Sequence, residues 1–161
     1  SFPTRRSSDL VAVCTAAITN PELLNEGAKN FGSQCIVLSI DAKRTGDTWH
    51  AYINGGRIDA EIDAIEWAKE GEQRGAGEIL LNSIDMDGMK QGYDLELTRT
   101  VAESVGIPVI ASGGAGTLEQ MYEAIAIGKG DAVLLASLLH YGEFTIDDIK
   151  KFLKQKGVCI R

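Results

Sequence analysis

The chain has 161 residues, of which 44% are hydrophobic and 24% are charged, a composition typical of a folded globular domain. Its net charge of −7 disfavours nucleic acids and anionic membranes as general partners, because both repel an acidic surface. No apolar run approaches the roughly 18 residues that a membrane span needs. The three cysteines lack metal-ligand spacing and are typical of free thiols in the cytoplasm, so neither a metal nor a cofactor is expected.

The first ten residues, Ser1–Leu10, differ from the rest of the chain. They have no strand or helix periodicity and no apolar stretch of a signal peptide. The decapeptide resembles the translation of a sequencing-library adapter, so we interpret residues 1–10 as a non-native segment and residues 11–161 as the protein domain. A disordered polar arm is the alternative. On the first interpretation, the natural domain begins before Val11, in sequence that this chain lacks.

From Val11 onward, short runs rich in β-branched residues alternate with amphipathic stretches in about five βα units. The predicted strands are Val11–Thr15, Cys35–Asp41, Glu78–Ile84, Pro108–Ser112 and Asp131–Ser137. The predicted helices are Pro21–Asn30, Glu61–Arg74, Leu95–Val105, Leu118–Ile127 and Ile146–Lys156. One further stretch, Thr48–Asn54, predicts a small antiparallel excursion after the second strand.

The strand pattern indicates the fold class. Most predicted strands are near-continuous apolar runs, which are typical of a parallel sheet covered on both faces. Successive βα units form a right-handed parallel sheet that is either open or closed into a barrel. Because a complete (β/α)8 TIM barrel takes about 250 residues, five units predict an α/β chain that holds an incomplete barrel.

In either architecture, functional residues collect at the carboxyl ends of the strands. Asp41 ends the second predicted strand, where a carboxylate is well placed for acid–base chemistry. The alternative is a loop-initiating aspartate that pairs with Lys43 or Arg44. The position alone does not decide between the two.

Polar residues also follow the third predicted strand. Asn82, Asp85, Asp87 and Gly88 lie in the sequence LNSIDMDG. Two acids two residues apart can bind a metal, although a calcium loop needs more oxygen ligands, and an Asx-type turn explains them equally well.

Two loops predict a phosphate site. The fourth strand opens into Gly113 and Gly114, and a helix begins near Thr117. Glycines let the backbone approach an anion, and a helix N-terminus offers free amides. The fifth strand ends at Ala136 and Ser137, and adjacent loops of this kind after the last two strands form the usual phosphate site of a TIM barrel.

Four stretches together resemble the cyclase subunit of imidazole glycerol phosphate synthase, an enzyme of histidine biosynthesis. They are SIDAKR at 39–44, RGAGEILLNSIDMDGMKQGYD at 74–94, IPVIASGGAG at 107–116 and LLASLLHYGE at 134–143. The resemblance implies a (β/α)8 barrel of two similar halves, of which this chain holds the end of strand four and strands five to eight. The phosphoribosyl-formimino isomerase of the same pathway is the alternative, but it usually lacks the DAKR and GAGEILLNSID sequences.

The resemblance also implies a reaction and a partner. The family joins ammonia to a bisphosphorylated ribulosyl-formimino carboxamide ribonucleotide, and the products are imidazole glycerol phosphate and aminoimidazole carboxamide ribonucleotide. A glutaminase subunit docked at the N-terminal face of the barrel supplies the ammonia. Asp41 matches the strand-five member of the family's two catalytic aspartates. The strand-one member is absent from this sequence, so the chain by itself is expected to be an inactive fragment.

Binding residues are carried over by the same resemblance. Thr15 matches a residue of the second phosphate site, where Cys14 replaces the usual asparagine, and Asn82 is assigned to substrate binding. The residues that match the first phosphate site and its rim are Asp87, Gly88, Gly113, Gly114, Ala136 and Ser137.

A non-catalytic half-barrel that binds phosphate through one site is the remaining hypothesis.

Overall fold

One mixed β-sheet organises the chain in the computed structural model, which describes residues 10–135, 139 and 142–160. Its strands are β1 (Val11–Val13), β2 (Ile36–Thr45), β3 (Thr48–Ile53), β4 (Ile58–Asp63), β5 (Glu78–Ser83), β6 (Val109–Ser112) and β7 (Ala132–Val133). The helices are α1 (Thr15–Thr19), α2 (Glu22–Phe31), α3 (Ala64–Gln73), α4 (Leu95–Ser104), α5 (Leu118–Ala126) and α6 (Ile146–Gln155), with a short 3₁₀ turn at Ser33–Cys35.

The parallel part of the sheet confirms the predicted α/β fold. Strands β1, β2, β5, β6 and β7 are parallel neighbours in that order. Within the described residues the arc is not closed, because β1 pairs with β2 alone and β7 with β6 alone. All five carboxyl ends therefore lie along one edge of an incomplete barrel.

The antiparallel excursion is confirmed and is larger than predicted. The outer half of β2 runs on to Thr45 and pairs antiparallel with β3, which in turn pairs with β4. The predicted helix Glu61–Arg74 is therefore wrong at its start, because Ile62 lies in β4 opposite Ala51. The helix begins at Ala64, where the Asp63 carboxylate caps it by accepting two amide hydrogens of its first turn.

Apolar side chains from one face of the sheet pack against the helices and form the main core. Four of its fully buried members come from the middle of β2 and β5, and each contributes about 1.5–3 kcal/mol on burial; they are Leu38, Ile40, Ile79 and Leu81. Helix α3 approaches β2 closely because Gly71 has no side chain, and a Cβ there would overlap the Leu38 side chain. A second cluster joins α5 and α6 to β6.

Two predictions concern the ends of the chain. Of the predicted non-native segment Ser1–Leu10, all but Leu10 lies outside the described residues, so that interpretation stays a prediction. The last helix begins at Ile146, as predicted, and Thr145 caps it through a capping box with Asp148. Among the described residues, no helix combines the length and the hydrophobicity that a membrane crossing requires.

Candidate functional site

The centre of the candidate site is a pair of polar residues on adjacent parallel strands. Asp41 on β2 lies opposite Asn82 on β5, and both side chains are half-buried. The Asn82 amide nitrogen donates a hydrogen bond of 3.1 Å to Oδ1 of Asp41. This bond fixes the orientation of the carboxylate at the carboxyl edge of the sheet, where a ligand can reach it.

The other carboxylate oxygen of Asp41 faces a thiol. The Cys14 Sγ atom, just beyond β1, lies 3.9 Å from Oδ2 of Asp41. Burial raises the pKa of the Cys14 thiol, and the negative charge of Asp41 raises it further. The thiol therefore stays protonated at neutral pH. Because a thiol is a weak donor, Oδ2 keeps its capacity to accept a proton from a substrate.

Thr15 lies on the same side of the site as Cys14. Its hydroxyl oxygen accepts a hydrogen bond of 3.0 Å from the backbone amide of Asn54, in the turn between β3 and β4. A hydroxyl has one donor and two acceptor positions, so Thr15 can still donate its proton to a phosphate oxygen. The β3–β4 hairpin thus orients this side chain.

A small cleft on the other side of Asp41 collects four of the residues predicted for phosphate binding. Its volume is about 60 Å³. Its walls come from the loops after β5, β6 and β7, and the lining residues are Asp87, Gly88, Ser112, Gly113, Gly114, Ala115 and Leu134. The cleft is therefore placed where adjacent barrel loops hold an anion.

Backbone geometry explains the glycines of this cleft. Gly113 and Gly114 have φ angles of +88° and +101°, a region that side chains disfavour. A Cβ at Gly114 would also overlap the carbonyl oxygen of Gly92. The same two residues are joined by a hydrogen bond, in which the Gly92 amide donates to the Gly114 carbonyl oxygen at 2.8 Å. The sequence of this turn is thus set by contact with the loop after β5.

The capping box of α5 occupies two of the amides at the N-terminus of this helix. The Thr117 hydroxyl accepts the amide hydrogen of Gln120, and the Gln120 side chain accepts that of Thr117. Both amides are therefore used within the capping box of α5. An anion in the cleft would be bound by the glycine loop instead of by these two groups.

The structure separates the predicted binding residues into two groups. Thr15 follows β1, whereas Gly113 and Gly114 follow β6, with β2 and β5 between them. Three strand intervals of about 4.8 Å give a path of about 14 Å between the groups along the curved sheet, with the strand of Asp41 on that path. The predicted residues Ala136 and Ser137 lie outside the described residues, so their role stays a prediction.

The basic residues after Asp41 do not pair with it, which removes the alternative of a simple loop-initiating ion pair. The Arg44 guanidinium binds Glu96 at 2.8 Å, and the Lys43 ammonium lies 5.8 Å from the centre of the Tyr52 ring. Both side chains are exposed. The side chains that donate to the Asp41 carboxylate are instead the Asn82 amide and, more weakly, the Cys14 thiol.

Sequence reasoning missed Asn54 at this edge, and it named Asp85 without its contact to Arg44. Asn54 binds Thr15, and Asp85 accepts a 2.7 Å hydrogen bond from the backbone amide of Arg44. The dipeptide Asn54-Gly55 after an alternating stretch is a hairpin signal that could have located the first contact. The contact of Asp85 joins residues 41 positions apart, and no local pattern predicts it.

Comparisons with known proteins identify the family of the chain. The chain matches the family "Histidine biosynthesis protein" over residues 4–145. It is 58% identical over 159 residues to the "Imidazole glycerol phosphate synthase subunit HisF" of Lachnoclostridium phytofermentans. That alignment covers 98% of this chain and 62% of the relative, so the chain spans less than two thirds of the relative's length.

Proposed function

Because the chain belongs to the histidine biosynthesis protein family, we propose that it forms the carboxy-terminal part of an imidazole glycerol phosphate synthase cyclase. The cyclase adds ammonia to a bisphosphorylated ribulosyl-formimino carboxamide ribonucleotide and splits it. The products are imidazole glycerol phosphate and aminoimidazole carboxamide ribonucleotide.

The observation that carries this proposal is the position of Asp41 between two groups of predicted phosphate ligands. The glycine cleft lies on one side of the carboxylate and Thr15 on the other, with about 14 Å between them along the sheet. A substrate with a phosphate at each end would be stretched across Asp41. Its reacting centre would then lie beside a half-buried carboxylate.

In this proposal Asp41 exchanges protons with the substrate while Asn82 holds its carboxylate in place. Ring closure and cleavage need protons to be moved at different substrate atoms, which calls for a second acid–base group facing Asp41. The family's strand-one aspartate would supply it. The 161-residue chain by itself is therefore proposed to have negligible turnover.

The proposed source of ammonia is a glutaminase subunit. The site occupies the carboxyl ends of the parallel strands, so ammonia would enter at the opposite edge, where β2 begins at Ile36 and β5 at Glu78. A cytoplasmic location is part of the proposal, and it is supported by the three cysteines, which form no disulfide.

A chimera tests the function directly. The stretch of the Lachnoclostridium relative that corresponds to residues 11–161 is replaced by those residues, and ammonium-dependent loss of the bisphosphorylated substrate is measured. We expect turnover in the chimera, and we expect Asp41→Asn to lower it by about 10²–10⁴-fold, the usual contribution of a general acid or base. The control, Asp47→Asn, changes an exposed carboxylate in the β2–β3 turn and should retain activity.

Other outcomes would contradict the proposal. An active chimera that keeps its rate after Asp41→Asn would show that Asp41 is not the acid–base group. Isomerisation of the phosphoribosyl-formimino precursor without any use of ammonia would favour the isomerase. If the chain bound mono- and bisphosphates equally well and the chimera had no turnover, a non-catalytic phosphate-binding half-barrel would be the better account.

A further inference from the structure

Arg44 contacts both ends of the segment that connects β5 to α4. At the start of that segment, the Arg44 backbone amide donates a 2.7 Å hydrogen bond to the Asp85 carboxylate. At its end, the Arg44 guanidinium binds Glu96 at 2.8 Å in the first turn of α4. A single residue at the end of β2 thus joins this segment to the neighbouring hairpin.

The guanidinium is itself held in place by the hairpin. Its central carbon lies 4.5 Å from the centre of the Trp49 ring, and Trp49 is 4% exposed. Nε donates to the carbonyl oxygen of Gly46 at 3.3 Å, in the turn between β2 and β3. A planar cation stacked on a buried ring has less freedom than an ordinary surface arginine, so its ion pair with Glu96 is more ordered than exposed pairs usually are.

The segment that Arg44 contacts carries one wall of the phosphate cleft. Asp87 and Gly88 lie two and three residues after Asp85, and both are exposed on the cleft rim. Farther along, the amide of Gly92 binds the carbonyl of Gly114, which ties the segment to the opposite wall. The wall at Asp87 and Gly88 therefore lies between the contact at Asp85 and the contact at Gly92.

We propose that Arg44 is a positioning residue that holds the β5–α4 segment against the β2–β3 hairpin and so keeps the Asp87–Gly88 wall facing the Gly113–Gly114 loop. The inference rests on the proposed phosphate-binding function of that cleft. Arg44 does not touch the anion in this proposal. Its guanidinium acts through Glu96 and its backbone amide through Asp85, so loss of the arginine side chain together with the Asp85 carboxylate widens the cleft without changing the glycine loop.

The test compares Arg44→Ala, alone and combined with Asp85→Ala, with Arg99→Ala in the 161-residue chain, because alanine at position 44 keeps the backbone amide that binds Asp85. Arg99 is a matched control, because it forms an ion pair with Glu103 on α4 and its side chain is 54% exposed, against 42% for Arg44. Two quantities are measured for each variant: the affinity for inorganic phosphate by titration, and amide hydrogen exchange over residues 84–91 by mass spectrometry.

For the double variant we expect the phosphate dissociation constant to rise at least threefold and residues 84–91 to exchange at least threefold faster, with smaller increases for Arg44→Ala alone, which keeps the amide contact with Asp85. Arg99→Ala should leave both quantities unchanged, and Arg44→Lys, which keeps a charge facing Glu96, should recover part of the affinity. A fall in thermal stability with unchanged affinity and unchanged exchange would overturn the proposal. If the unmodified chain does not bind phosphate, the proposed function of the cleft fails, while the exchange rates still decide whether Arg44 holds the segment.

Discussion

Replacement of Gly114 by alanine is the perturbation that most sharply tests the geometry of the phosphate cleft. Two costs arise from the structure. A φ of +101° costs a residue with a side chain about 1–2 kcal/mol. The new Cβ would in addition overlap the Gly92 carbonyl oxygen and lie 2.8 Å from the carbonyl carbon, so the two loops must move apart at about 1–3 kcal/mol.

Gly157→Ala separates the two costs. Gly157 also has a positive φ, +85°, but nothing lies within 4 Å of a Cβ built there. This control should destabilise the chain by about 1–2 kcal/mol through the backbone alone. Gly114→Ala should destabilise it by about 2–5 kcal/mol, the sum of both costs.

The assay is urea unfolding of both variants, followed by phosphate titration of the folded proteins. Because the Gly92–Gly114 contact joins the two walls of the cleft, Gly114→Ala should weaken phosphate binding, whereas Gly157→Ala should not. Equal unfolding free energies for the two variants, together with equal phosphate affinities, would refute the reasoning.

Two further predictions concern ionisable groups. Burial raises the pKa of Asp63, but hydrogen bonds from the Thr48 hydroxyl and from amides of α3 outweigh this and leave the pKa below its usual value. The carboxylate therefore stabilises the fold above the unfolded pKa of about 3.9, and this contribution is lost as the pH falls through the folded pKa. Urea titrations should show that the unmodified chain loses more stability than Asp63→Asn between about pH 5 and pH 2, and equal losses would contradict the assignment. Because the pKa of Cys14 is raised, iodoacetamide should alkylate Cys14 more slowly than the exposed Cys159 at pH 8, as measured by mass spectrometry. In urea the two cysteines should react at similar rates. Faster alkylation of Cys14 than of Cys159 in the folded chain would contradict the prediction.

The parallel sheet could be predicted from the sequence because its strands are apolar along most of their length. In β2, five of the first seven residues, starting at Ile36, are buried. Helix boundaries were less certain. The sequence near Ile62 fits a helical repeat, yet the pairing of β4 with β3 and the cap at Asp63 place the start of the helix at Ala64. Tertiary pairing decided the outcome, and a local pattern does not contain that information.

In the candidate site, too, local features could be predicted from the sequence and long-range contacts could not. Asp41 and the glycine loop were found because strand ends and glycine turns are visible in sequence. The contact between Asn54 and Thr15, and that between Asp85 and Arg44, each join residues about 40 positions apart. Such contacts follow from the way the β3–β4 hairpin folds over the sheet edge, which the sequence predicted as an excursion but without its partners.

The most direct test of the account is a titration of the isotope-labelled chain with inorganic phosphate, followed by NMR of the backbone amides. The account predicts two separate groups of shifted amides on either side of Asp41, one at Gly88, Gly113 and Gly114 and one at Thr15. Shifts confined to the lysine-rich surface of α6, around Lys150 and Lys154, would show that phosphate binds there by charge alone. That result would contradict the central claim that Asp41 lies between two phosphate sites.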